Sequence, residues 1–201
     1  MCGITRPEDA QYAVSLGVDA IGMILHADSP RTISIDTAQA IRAVVPPMVS
    51  LIGVVVNAPQ ERAKQLYQEI QLDYLQLHGE ESAEYANTLG LPYIRAIRAR
   101  NAEQVAKEMQ QHTAAGAFLL DPYVAGQHGG TGKTLDKSLW PLESSKPLIL
   151  AGGLGPDNMT QRLQEIHPYA VDLNSGVESA PGIKSRSKLD AALTQIYVPS
   201  E

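Results

Sequence analysis

Reactive side chains recur in this sequence at the points where short apolar runs stop. Cys2 stands at the head of the chain, His78 follows segment 75–77, and Asp121 follows segment 118–120. Thiol, imidazole and carboxyl groups are side chains that exchange protons in acid–base catalysis. Their recurrence at the ends of apolar runs indicates an enzyme.

The elements that must position these side chains alternate along the chain. Apolar, β-branched runs predict seven strands, at 19–25, 50–57, 74–78, 93–97, 117–121, 147–153 and 170–174. Amphipathic spacing predicts helices at 58–70, 80–90, 156–166 and 186–196. A further helix is predicted near the start of the chain, with Thr5 as its cap. This alternation predicts a parallel sheet in a single domain, residues 1–201.

Two α/β folds with parallel sheets fit this alternation. An open, doubly wound sheet usually has a Gly-x-Gly-x-x-Gly fingerprint after its first strand, and that pattern is absent there. Eight strand–helix units that close into a (β/α)₈ barrel, the TIM barrel, fit the strand count better. In such a barrel the carboxyl ends of all strands meet on one face, where active sites lie.

The remaining strand of the predicted barrel is the one that ends at Cys2. Only Met1 stands ahead of that cysteine, whereas strands usually run about five or six residues. Strand 1 is therefore predicted to be largely missing, through truncation or a misassigned start codon. Each lost Val or Ile would forfeit roughly 1.5–3 kcal/mol of burial.

The composition excludes several classes of protein. A formal net charge of −6 argues against a general binder of nucleic acids or membrane surfaces. A single cysteine excludes an intrachain disulfide framework, and no Cys/His cluster indicates a metal site. Without a long apolar run or a basic leader, the default prediction is a cytoplasmic protein.

A series of short motifs carries a family resemblance. They are Cys-Gly-Ile-Thr-Arg (2–6), Ser-Pro-Arg (29–31), Gly-Val-Val-Val-Asn (53–57), Leu-Gln-Leu-His-Gly-Glu (75–80), Leu-Leu-Asp (119–121), Gly-Gly-Thr-Gly-Lys-Thr (129–134), Leu-Ala-Gly-Gly-Leu (150–154), Ser-Gly-Val-Glu (175–178) and Pro-Gly-Ile-Lys (181–184). Together they resemble the phosphoribosylanthranilate isomerase family of tryptophan biosynthesis. The resemblance implies a (β/α)₈ barrel that rearranges N-(5-phosphoribosyl)anthranilate without metal or organic cofactor.

The resemblance implies two catalytic residues. Cys2 resembles the general base that removes a proton from the sugar carbon beside a protonated imine; a lone cysteine is otherwise usually a small buried hydrophobe. Asp121 resembles the general acid that protonates the furanose ring oxygen, and burial at a strand end would raise its pKa. The alternative for Asp121 is a turn-capping residue, since Asp-Pro often opens a turn.

The resemblance also implies substrate-binding residues. Arg31 resembles the residue that binds the anthranilate carboxylate, which a planar guanidinium matches with two donors. His78 and Asp172 are expected to line the pocket, although a structural hydrogen-bonding role suits either of them as well.

Backbone groups are predicted to bind the phosphate. Gly152 and Gly153 end one strand, and Ser175 and Gly176 end the next. Loops after strands 7 and 8 form the usual phosphate site of these barrels, where N–H groups point at the anion. Glycine more often serves only a turn, so the pairing of the two loops is the stronger signal.

Three other functions are considered. The segment 129–134 resembles a nucleotide-binding P-loop, but its first glycine would have to stand at Gln127, so the register fails. The segment 129–132 is instead predicted to wall the phosphate site. A histidine-pathway aminoaldose isomerase would have an aspartate at the position of Cys2. A non-catalytic barrel that binds sugar phosphates stays open as the second hypothesis.

The partners predicted are the small-molecule substrate and, in a homodimer, a second copy; a monomer is equally consistent with the sequence.

Overall fold

The computed structural model describes residues 1–123 and 134–197. The strands of its large sheet are β1 Ala20–His26, β2 Ser50–Val55, β3 Tyr74–Leu77, β4 Tyr93–Ala99, β5 Ala117–Pro122, β6 Leu148–Leu150 and β7 Ala170–Val171. A short antiparallel pair follows, β8 Glu178–Ala180 and β9 Ile183–Lys184. The helices are α1 Pro7–Ser15, α2 Ile35–Arg42, α3 Gln60–Ile70, α4 Ala83–Leu89, α5 Ala102–Gln111, α6 Met159–Ile166 and α7 Arg186–Tyr197.

The large sheet is parallel, and its strands lie in the order of the chain. Each strand from β1 to β6 pairs in parallel with the next one. A parallel neighbour requires a crossover, which α3, α4 and α5 supply between β2 and β5. Between β5 and β6 the described residues hold only a 3₁₀ turn at Lys137–Leu139. The predicted α/β class with a parallel sheet is confirmed.

The first residues of the chain connect the two edges of this sheet. Cys2 N donates to Leu173 O beyond β7, at 2.8 Å. On the other side, Gly22 N of β1 donates to Met1 O at 2.7 Å, and Ile4 N donates to Gly22 O at 3.1 Å. Residues 1–4 therefore lie between β7 and β1, where the remaining strand was expected.

Side chains of the sheet alternate between two apolar clusters. One set packs within the curled sheet, and it consists of Ile94, Ala96, Ala117, Leu119 and Ala151. The larger core lies between the sheet and its helices, and it includes Tyr93, Ile97, Phe118 and Leu120 from the same strands. Because strand side chains alternate with a period of two, Asp121 continues the inner row of Ala117 and Leu119. In the same way, Gln76 and His78 follow one another on the inner face at the end of β3.

Helix α4 has a regular cap at each end, whereas the predicted cap of α1 does not form. Ser82 Oγ accepts from Tyr85 N at the start of α4, and Gly90 ends that helix with a φ of 67°. The left-handed conformation favours glycine at such a C-cap. The prediction that Thr5 caps α1 is wrong, because the Thr5 hydroxyl donates instead to the carbonyl of Gly182.

Candidate active site

A cavity of about 460 Å³ opens at the carboxyl ends of the strands. Every site residue predicted from the sequence lines it: Cys2, Arg31, His78, Asp121, Gly152, Gly153, Asp172, Ser175 and Gly176. These residues come from six separate segments of the chain. Because parallel strands end on one face of the sheet, these residues lie together, as the sequence predicted.

Cys2 lies at the base of the cavity, against Ile24 of β1 and Val54 of β2. Gly22 makes room for it, since a Cβ at that glycine would lie 3.1 Å from the sulfur. Burial, followed by the nearby carboxyl of Asp172, raises the pKa of the Cys2 thiol to about 12. The N-terminal amine and Lys184 oppose this rise. The sulfur therefore holds its proton at neutral pH.

Asp172 lies beyond β7 and shares the electrostatic environment of Cys2. Burial raises the pKa of its carboxyl, against the opposing influence of the N-terminal amine and Lys184. The Asp172 carboxyl raises the pKa of the thiol, and the Asp121 carboxyl in turn raises the pKa of Asp172, because negative charges in one buried site repel.

Asp121 is the second-to-last residue of β5 and lies beside His78, the residue that follows β3. Nε2 of His78 lies 3.7 Å from Oδ2 of Asp121, beyond hydrogen-bonding distance. Nδ1 of His78 lies 2.9 Å from Nε2 of Gln76. Asp121 is 6% exposed, so an acid at this position is shielded from bulk water while it faces the cavity.

Arg31, in the loop after β1, is held by a buried carboxylate. Its Nε and Nη2 donate to Glu178, with the shortest contact, Nη2 to Oε2, at 2.7 Å. Lys184 Nζ donates to the other oxygen of Glu178 at 2.9 Å. The two cations keep the pKa of Glu178 below its usual value against the opposing effect of burial. Glu178 thus occupies the edge of the guanidinium formed by Nε and Nη2, and the other edge is the one formed by Nη1 and Nη2.

The two glycine loops beyond β6 and β7 touch each other. Gly152 and Gly153 adopt φ angles of 92° and 56°, which L side chains rarely adopt. Asn158 holds this loop, because its side chain donates to Gly153 O at 2.9 Å and accepts from Gly155 N at 3.0 Å. A Cβ at Gly176 would lie 2.1 Å from Leu154 O. Close backbone packing therefore requires glycine at 176.

Gly176→Ala is expected to displace the two loops and to weaken the phosphate binding that the sequence predicts for them. Overpacking of this kind costs about 1–3 kcal/mol of stability, and KM should rise because the N–H groups of the loops move apart. Thermal unfolding and steady-state kinetics measure the two effects. Gly90→Ala is the matched control. A Cβ added at Gly90 meets no atom within 4 Å, but the φ of +67° strains any residue other than glycine there. It should lower stability and leave KM unchanged, and an unchanged KM in Gly176→Ala would contradict the assignment of this loop.

Comparison with known proteins identifies the family. A family model described as N-(5'-phosphoribosyl)anthranilate (PRA) isomerase matches residues 1–195. The chain belongs to this family. The N-(5'-phosphoribosyl)anthranilate isomerase of Pseudomonas fluorescens is 43% identical over 201 residues, which are 100% of this chain and 96% of that protein.

Solved phosphoribosylanthranilate isomerases share the fold. The crystal structure of the enzyme from Thermotoga maritima has a TM-score of 0.88 at 34% identity, covering 97% of this chain and 96% of that one. Another solved isomerase, in complex with reduced 1-(o-carboxyphenylamino)-1-deoxyribulose 5-phosphate, has a TM-score of 0.84 at 32% identity. That match covers 96% of this chain and 95% of the other. The resemblance inferred from the short motifs is confirmed.

Some residues of this isomerase site were not predicted from the sequence. Glu178 holds Arg31, and Lys184 donates to Glu178. Both Glu178 and Lys184 stand in motifs that carried the family resemblance, so a search of those motifs for buried charge would have found them. Gln76 lines the cavity, and in β3 it stands between two apolar residues, Leu75 and Leu77. The predicted wall at 129–132 lies outside the described residues.

Two further observations concern the described part of this isomerase. Among residues 1–123 and 134–197, no group of three His, Cys, Asp or Glu side chains is placed to hold a metal ion. Within the same residues, no helix has both the length and the apolar character needed to cross a membrane.

Proposed function

We propose that this protein catalyses the isomerase step of tryptophan biosynthesis, with Cys2 as the general base and Asp121 as the general acid. The reaction is the Amadori rearrangement of N-(5'-phosphoribosyl)anthranilate to 1-(2-carboxyphenylamino)-1-deoxyribulose 5-phosphate. The observation that supports it best is the convergence of both residues on one cavity that Arg31 and two glycine loops also line. Family membership makes a non-catalytic sugar-phosphate barrel the less favoured hypothesis.

The first chemical step opens the furanose ring. Asp121 donates its proton to the ring oxygen as the bond between that oxygen and C1 breaks. The nitrogen lone pair of the anthranilate moves into the C1–N bond, which gives a protonated imine and leaves Asp121 as a carboxylate. Protonation of the departing oxygen avoids a free alkoxide and is worth about 10²–10⁴-fold in rate for a well-placed acid.

The second step forms the enolamine. The Cys2 thiolate removes the proton from C2, and the electrons of that C–H bond form the C1–C2 double bond while the imine nitrogen becomes neutral. The enolamine then tautomerises to the ketone. The cationic imine lowers the pKa of the Cys2 thiol, and the thiol proton passes to solvent as the thiolate forms. The substrate itself thus supplies the charge that prepares Cys2.

Three groups of residues hold the substrate in this proposal. Arg31 binds the anthranilate carboxylate through Nη1 and Nη2, while Glu178 fixes its Nε edge. The N–H groups around Gly152, Gly153, Ser175 and Gly176 bind the phosphate, where backbone donors need no net positive charge. Asp172 and His78 lie beside the sugar. The carboxylate and the phosphate then fix the two ends of the substrate.

Arg31→Met is expected to raise KM about 10–100-fold with a smaller change in kcat, because a charge-assisted pair with a carboxylate is worth roughly 1.5–3 kcal/mol. Arg31→Lys should recover only part of the binding, since an ammonium lacks the planar pair of donors. Steady-state kinetics by anthranilate fluorescence measure both constants. Arg186→Lys, on the exposed start of α7, is the control and should match the wild type. A fall in kcat at constant KM would contradict the binding role.

The fluorimetric assay also tests the function as a whole. Conversion of the phosphoribosylated substrate by the purified chain supports the isomerase, whereas binding without turnover would favour the non-catalytic alternative. Activity that survives dialysis against a chelator would support the predicted absence of a metal or cofactor. Light scattering on the same sample decides between monomer and homodimer, and the cytoplasmic location stays a prediction.

We further propose that residues 1–4 take the place of the first strand in an eight-membered barrel. Their hydrogen bonds to Gly22 on one side and Leu173 on the other support this position. The prediction that most of that strand is missing can be tested by adding an apolar segment ahead of Met1. If the prediction is correct, the extended chain unfolds at a higher temperature than the chain as it stands.

A further inference from the structure

We propose that Gln76 is a positioning residue that fixes the tautomer of His78, so that the Nε2–H of His78 faces Asp121 during proton transfer. The tautomer is inferred from geometry alone. Its catalytic consequence rests on the proposed function, in which Asp121 is the general acid.

The contact between Gln76 and His78 sets the position of the ring proton. Nε2 of Gln76 lies 2.9 Å from Nδ1 of His78, and Gln76 is 4% exposed. An amide nitrogen only donates hydrogen bonds, so Nδ1 must be the acceptor. A neutral imidazole whose Nδ1 accepts carries its proton on Nε2.

The other ring nitrogen of His78 faces the general acid. Nε2 is buried and has no hydrogen-bond partner among the residues that the structure describes. Its nearest acidic neighbour is Asp121, with Oδ2 at 3.7 Å. Buried donors in folded proteins are rarely left unpaired, and catalytic hydrogen bonds that are long in an empty site shorten when substrate is bound. Closure by less than 1 Å would pair Nε2–H with the Asp121 carboxyl.

This hydrogen bond would matter most after the first proton transfer. When Asp121 has given its proton to the ring oxygen, it is a carboxylate, and a hydrogen bond to an anion is about twice as strong as one between neutral groups. His78 keeps its proton throughout. The opposite tautomer would place a lone pair against the new carboxylate and oppose the step.

The position of Gln76 in the sheet supports a specific role. It stands two residues before His78 on the inner face of the sheet, because strand side chains alternate. It lines one cavity together with Ile94 and Leu119 and the active-site cavity together with His78. A buried polar side chain needs a partner, and among the described residues the Nδ1 atom of His78 is the partner found for Gln76.

Nitrogen-15 NMR of the histidine rings tests the tautomer directly. In the wild type we expect His78 to show a protonated Nε2 and an unprotonated Nδ1, with its signals assigned by their loss in His78→Gln. Gln76→Leu should abolish this preference. Gln76→Glu should reverse it or charge the ring, since a carboxylate can only accept from Nδ1–H. A protonated Nδ1 in the wild type, or an unchanged spectrum in Gln76→Leu, would overturn the proposal.

His112 provides the control within the same spectra. It is 2% exposed, its Nδ1 lies 3.3 Å from the Tyr93 hydroxyl, and it does not line the active-site cavity. Its ring signals should be the same in the wild type and in both Gln76 variants. A change at His112 as well would show that the substitution disturbs the whole sheet, and would contradict a local effect.

Kinetics separate positioning from structure. Gln76→Leu should lower kcat about tenfold, the equivalent of one hydrogen bond, with KM near the wild-type value. A tautomer that changes without any effect on kcat would overturn the catalytic part of the proposal. If the wild type itself fails to turn over the substrate, the proposed function is contradicted, whereas the ring spectra still decide the tautomer.

Discussion

Replacement of Cys2 by alanine is expected to lower kcat about 10²–10⁴-fold, the contribution of a well-placed general base. Substrate binding should change little, because the proposed mechanism assigns the carboxylate to Arg31 and the phosphate to the glycine loops. The variant removes one buried sulfur and leaves the backbone hydrogen bond from residue 2 to Leu173 in place. Single-turnover kinetics, followed by anthranilate fluorescence, measure the chemical step apart from product release.

Cys2→Ser is the matched variant for this prediction. A hydroxyl has nearly the size of a thiol but ionises far less readily, so the serine variant should be almost as slow as the alanine variant. If Cys2 only fills space beside Ile24 and Val54, serine should instead recover most of the activity. Near-normal turnover in either variant would contradict the role of Cys2 as base.

The position of the site could be predicted because it depends on two strong patterns. Continuous apolar runs located the strands, and the parallel arrangement placed their carboxyl ends together. Residues as distant in the chain as Cys2 and Asp172 therefore line one cavity. No knowledge of individual side-chain contacts was required for this step.

Two helices and the long-range contacts were not predicted. Helices α2 and α5 are missing from the sequence prediction, although both have an apolar face, which buries Ala38 and Ile41 in α2 and Val105 in α5. Thr5 has the local pattern of a helix cap, yet its hydroxyl donates to Gly182, 177 positions away. The local sequence pattern of a helix cap cannot show that a distant residue competes for the same hydroxyl, because only the fold brings the two residues together.

The Arg31 pair illustrates the same limit within the site. The sequence predicts a guanidinium with a free pair of donors, but Glu178, 147 positions along the chain, takes the Nε edge. A buried carboxylate between Arg31 and Lys184 is stable because both cations offset its desolvation. The sequence singled out Arg31 as a candidate, whereas the contact that fixes the orientation of its guanidinium comes from the fold.

Asp121→Asn is the second variant with a large expected effect. The amide has the size of the carboxyl group but has no acidic proton for the ring oxygen, so kcat should fall about 10²–10⁴-fold. Opening of the furanose should then limit the rate, while KM stays within a few-fold of the wild type. Asp36→Asn, on the exposed first turn of α2, is the control and should leave both constants unchanged.

The alternative for Asp121 makes a different prediction. If its carboxyl group only stabilises the turn into Pro122, asparagine, which also favours turns, should preserve turnover. Rapid mixing with a substrate already opened to the imine would bypass the acid, so Asp121→Asn should convert it at a rate close to that of the wild type. Cys2→Ala should still fail with that substrate, because proton removal from C2 follows ring opening. Equal defects of both variants on the opened substrate would contradict the division of the two steps between these residues.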